Sequence, residues 1–102
     1  MKILKNSLYK PIDCYFDGGN SHVGILTEVG KTYFMIHRYD IYNDECLIYK
    51  NPTICLLSKL TSFTEVDEEE FDCKQFCIRY YEEHKFSSAE EAIKSLKLKA
   101  FW

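Results

Sequence analysis

No apolar run in this chain approaches the ~20 residues that cross a bilayer. The first residues, MKILKNSLYKP, have lysines but no continuous apolar stretch and no small-residue cleavage site, which reads as a mature, cytoplasmic protein. A basic patch is also missing. Neutralising phosphates requires one, so direct nucleic-acid binding is not expected. There is no Walker loop, no dinucleotide-binding glycine pattern and no serine in a nucleophile elbow. Gly18-Gly19 is too short to cradle a phosphate and reads as a turn. The C-x-x-C spacing of zinc sites is absent, as are internal repeats and low-complexity segments. No metal, no cofactor and no catalytic residue are therefore expected.

The 102 residues suffice for one domain with one core. Hydrophobic residues make up 46% and charged residues 28%, with eight Tyr and seven Phe, which argues against disorder. Five cysteines, Cys14, Cys46, Cys55, Cys73 and Cys77, are an odd number for a paired disulfide framework. In a reducing compartment they read as small buried hydrophobes. Charge is unevenly spread. Residues 1–62 carry seven basic and six acidic side chains; residues 63–102 carry six and ten.

The first part, 1–62, reads as strand-rich. Ile12, Cys14 and Phe16 alternate with polar neighbours, and Asp17-Gly18-Gly19-Asn20 then turns the chain. Residues 23–29 and 32–38 form a hairpin about Gly30-Lys31, read as a two-residue type II′ turn. That register puts Val23, Ile25, Thr27 and Val29 on one face with Thr32, Phe34, Ile36 and Arg38. Asn43-Asp44-Glu45 signals another turn, 46–50 a fourth strand, and 53–57 a fifth strand or a short helix.

The second part, 63–102, reads as helical. In VDEEEFDC, residues 66–73, Asp67 suits an N-cap with Glu70 as its capping-box partner. Val66 and Phe71 are spaced as a hydrophobic staple. Glu68, Glu69 and Glu70 fall in the first turn, where the macrodipole favours anions. Cys73, Phe76, Cys77, Tyr80, Tyr81 and His84 share a stripe at helical spacing, which predicts a helix over 68–85. A short helix then starts at Ser87 or Ser88, each with a Glu three residues on. The terminal Phe101-Trp102 pair is expected to dock on the body or to project towards a partner.

The expected fold is α+β: an antiparallel β-meander of four to five strands, then a long helix and a short C-terminal helix packed on one face. A half-open barrel closed by the long helix is the variant. Cys73, Cys77 and His84 could not share one zinc ion on such a helix, since His84 lies about 10 Å along the axis from Cys77. A Cys–His enzyme built on His22, His37 or His84, and a structural or adaptor subunit binding a neutral surface, are the alternatives to an inhibitory binding role.

In size, mild acidity, lack of catalytic motifs and layout, and in the closing segment FSSAEEAIKSLK, residues 86–97, the chain resembles small bacterial toxin-immunity proteins. Phage-encoded nuclease inhibitors, such as anti-CRISPR proteins, share that profile. The resemblance implies a non-catalytic inhibitor that occludes the cleft of a basic toxin or nuclease. The acids Glu65, Asp67, Glu68, Glu69, Asp72, Glu82 and Glu83 would meet its cations, with Tyr33, Tyr39, Tyr42 and Tyr49 as anchors.

Overall fold

A computed structural model describes residues 3–79 and 83–97. Among these the chain forms eight strands, two 3₁₀ turns and one helix. The strands are β1 (Pro11–Phe16), β2 (Ser21–Val29), β3 (Tyr33–Tyr42), β4 (Glu45–Tyr49), β5 (Thr53–Leu56), β6 (Leu60–Glu65), β7 (Gln75–Arg79) and β8 (Glu83–Phe86). The helix is α1 (Ala89–Lys97). No helix among the described residues is long and apolar enough to cross a membrane.

One mixed sheet runs β6-β1-β2-β3-β4-β7-β8. β3 is long enough to serve two partners on one flank. Its first half, from Tyr33 to Ile36, pairs with β5, and its second half, from Tyr39 to Tyr42, pairs with β4. β5 and β6 therefore sit at opposite ends of the series β6-β1-β2-β3-β5. In a flat sheet those ends would lie about 19 Å apart, at ~4.8 Å per strand. Yet only the 3₁₀ turn Leu57–Lys59 joins them, spanning roughly 8 Å at ~2 Å per residue. The five strands must therefore curl towards a half-open barrel, with no long helix to close it.

The curl encloses one core: Leu4, Ile12, Cys14, Leu26, Phe34, Ile36 and Cys55. A second core lies on the other face, built from Ile25, Tyr39, Cys46, Ile48, Phe71, Phe76, Ile78, Ala92 and Leu96. Ile25 and Leu26 point into different cores, so β2 is covered on both sides. Gly24 lets β2 and β3 approach closely. A Cβ there would stand 2.6 Å from the His37 carbonyl oxygen.

The register of the β2–β3 hairpin differs from the expected one. Gly30 N donates to Tyr33 O across a longer loop, and Val29 pairs with Phe34 rather than Thr32 facing Val29. A bulge between Leu26 and Glu28 then shifts the ladder, so Leu26 meets Ile36 and Ile25 meets His37. The bulge lets apolar side chains of both strands feed both cores.

The long helix over 68–85 is not formed, and the meander-plus-helices fold is corrected accordingly. The helix signals at Asp67 act over a single turn: Glu70 N and Phe71 N both donate to Asp67 O. Val66 and Phe71 pack against the same core, as a staple would, but the chain then extends. Phe76, Cys77 and Ile78 are buried in succession. β7 is flanked on both edges, by parallel β4 and antiparallel β8. A flanked strand with both faces covered needs an unbroken apolar run, and that run can also be counted at helical spacing. Of the expected stripe, Tyr80 and Tyr81 lie outside the described residues. The second part thus holds the end of β6, then β7, β8 and the short helix α1, rather than two helices. The short helix is present: Ser88 Oγ accepts from Glu91 N at 3.2 Å, and Glu91 reaches back to Ser87.

Candidate protein-binding surface

The β3–β4 hairpin turn meets the end of the segment that connects β6 to β7. In the β3–β4 turn, Asn43 and Asp44 have φ of 42° and 66°, the two positive values of a type I′ turn. Asp44 O accepts from the backbone N–H of both Lys74 and Gln75. That bond ties the β3–β4 turn to the segment that carries the acids. Phe71 roots this segment in the core, with its ring 4.9 Å from Tyr39 and 5.3 Å from Phe76.

Around the buried Phe71, Asp67, Glu68, Glu69, Glu70 and Asp72 are all exposed. None of them makes an ion pair among the described residues. Burial raises the pKa of Cys73 against a lowering hydrogen bond with Cys46, and Asp72 and Asp44 lie near enough to raise it further. Asp44 is partly offset by Lys74, 3.7 Å away, though both side chains are well exposed. Beside this acidic apex Tyr42 is 68% exposed and Ile41 45%. The apex is a small negative surface with an apolar shoulder.

The other expected site residues separate into distinct places. Glu65 closes β6, accepting from Ser7 Oγ at 2.8 Å and pairing with Lys10 at 3.5 Å. It ties the N-terminal segment to the sheet. Glu83 binds Arg79 at 3.1 Å, at the end of β7 remote from the apex. Glu82 lies outside the described residues. Tyr39 is buried at 5% exposure and offers its ring to the core. Tyr33 begins β3 and Tyr42 ends it, about 30 Å apart at ~3.3 Å per residue. Tyr33 donates to Glu28 at 2.9 Å and Tyr49 to Asp40 at 2.6 Å. Only Asp67, Glu68, Glu69 and Asp72 share one short segment, and its end at Lys74 is tied to the β3–β4 turn that follows Tyr42. Sequence reasoning missed Asp44 and Ile41, although the Asn-Asp turn next to Tyr42 was visible.

The thiols do not meet the needs of a Cys–His nucleophile. Cys14 faces His22 in the β1–β2 ladder, but burial first, then Cys55 and Asp13, push its pKa up to about 12. Burial likewise raises Cys46, Cys55, Cys73 and Cys77. A nucleophilic cysteine needs the opposite shift. His37 is fully buried, with Nδ1 3.0 Å from Tyr49 O. Among the described residues no three His, Cys, Asp or Glu side chains are grouped as metal ligands.

A further groove of about 410 Å³ runs beside β5, lined in part by Phe16, Asn20, His22, Cys55 and Lys59. No family profile, curated protein or solved structure matches the chain.

Proposed function

We propose that this protein is a non-catalytic inhibitor that docks its acidic apex into the cationic cleft of a partner, a nucleic-acid-acting toxin or nuclease. The observation that carries this reading is the run of carboxylates Asp67, Glu68, Glu69, Glu70 and Asp72 on one turn, none in an ion pair among the described residues. With no long helix behind them, a macrodipole cannot account for them. Like charges so close repel, and that cost is offset when a cationic surface arrives. Tyr42 and Ile41 supply apolar contact at the rim, and Phe71 keeps the turn from collapsing on binding. The occluded cleft loses access to its own anionic substrate.

The test starts with capture of the partner from the native host and continues with association kinetics. The wild type and a variant carrying Asp67→Asn, Glu68→Gln, Glu69→Gln and Asp72→Asn are compared at low and high salt. Electrostatic steering accounts for factors of about 10 to 1,000 in on-rate, so the variant associates at least about tenfold more slowly at low salt. The wild-type rate falls towards that of the variant as salt rises. An unchanged on-rate in the variant would sink the proposal.

A further inference from the structure

We propose that the free edge of β5 is a second docking site, for an extended segment of a partner protein that alternates apolar side chains with a carboxylate. Among the described residues β5 pairs with β3 alone. Leu57 N donates to Thr32 O at 3.0 Å, one step beyond the β3–β5 ladder. Antiparallel bonding alternates, so Thr53 and Cys55 turn their backbone groups towards β3. Ile54 and Leu56 then turn theirs outward, to the open edge. Their side chains are 67% and 52% exposed on a common face.

The other two sheet edges among the described residues carry polar or charged side chains. β6 presents Thr61, Ser62 and Thr64, and β8 presents Glu83, His84 and Lys85. β5 has no charged side chain. Unsatisfied main-chain groups on an apolar edge select another strand, because only an extended backbone matches their spacing. The groove beside β5 gives that strand's side chains somewhere to go, between Phe16 and Cys55. Its polar end sets the charge of the occupant. Lys59 makes no ion pair among the described residues. His22 Nδ1 is buried and has no hydrogen-bond partner there. Asp17 already accepts the Thr61 hydroxyl at 3.1 Å. A carboxylate on the incoming strand satisfies the exposed Lys59. The β5 edge pairs with Tyr33–Ile36 of β3, whereas the acidic turn leads to Lys74 at the β3–β4 turn, so the two readings rest on different elements and stand or fall separately.

The experiment is a selection from a displayed random-peptide library on the full chain, with counter-selection on Ile54→Lys. Ile54 is largely exposed, so the variant keeps its fold, which an unchanged Tm verifies. The expected peptides alternate aliphatic residues with Asp or Glu and bind the variant at least about tenfold more weakly, a difference of about 1.4 kcal/mol. They shift the amide resonances of Ile54 and Leu56, and N-methylation of alternate peptide nitrogens abolishes binding. An empty selection overturns the proposal, as do peptides that bind the variant equally well. So does a basic consensus that shifts residues 67–72. A dimer that forms through β5 and is lost in Ile54→Lys overturns it in favour of a second copy.

Discussion

Five cysteines sit in the interior and each is held as the neutral thiol by burial. At pH 7 a thiol reagent should leave all five unmodified on the timescale at which a free cysteine reacts, and urea should release them. A rapidly labelled thiol in the native protein would restore the Cys–His reading. The same burial gives the fold an alkaline limit. Cys14 has an ordinary value of 9.0 in the unfolded chain and about 12 when folded. The stability from keeping it neutral is whole below pH 9 and is lost as pH rises through 12. Tyr39 is raised too, by burial first, so it acts in the same direction. The urea midpoint should fall steadily above pH 9; a midpoint flat to pH 11 contradicts this. Gly24→Ala tests packing at one atom. The added methyl meets backbone rather than a movable side chain, so overpacking should cost about 1–3 kcal/mol by urea unfolding.

Individual elements show which sequence signals prevail. At the β3–β4 turn, Asp44→Gly removes the left-handed strain of an L residue at φ 66°. It also breaks the exposed Asp44–Lys74 pair, and such pairs contribute about 0.2–1 kcal/mol. Asn-Gly is the preferred type I′ pair, so the net change in urea midpoint should be small and favourable. Phe71→Ala should cost about 3–5 kcal/mol and loosen the acidic turn, seen as faster amide exchange over 67–72. Strands β1 to β4 could be read from the sequence because period-two alternation and turn residues agree there, whereas the apolar run of β5 fits a strand or a short helix. β7 could not, because Phe76, Cys77 and Ile78 are all buried and their spacing fits either periodicity. The caps at Asp67 made the helical choice attractive, yet a cap specifies one turn, and tertiary pairing with β4 decides the conformation of the residues beyond it. The candidate site was legible in its charge, since five acids in seven residues need no structure to be noticed. Its neighbours were not, because only the fold brings the β3–β4 turn alongside.

For the whole molecule, β3 is a shared spine. It contributes Phe34 and Ile36 to one core and Tyr39 to the other. The two cores should therefore unfold together. Cys14 and Cys55 report on the first core, and Cys46 and Cys73 on the second. In urea all four should become reactive at one midpoint; two separate midpoints would show that the cores are independent. The pairing of β1 with β6 has a consequence for synthesis. Ile12 is partnered by Glu65, so β1 leaves the ribosome long before the strand that completes it. Until then its backbone edge is open to any passing strand, and the amino-terminal strands stay incompletely paired during synthesis. A nascent chain stalled before residue 60 should stay protease-sensitive and bind holdase chaperones, and one that has fully emerged should not.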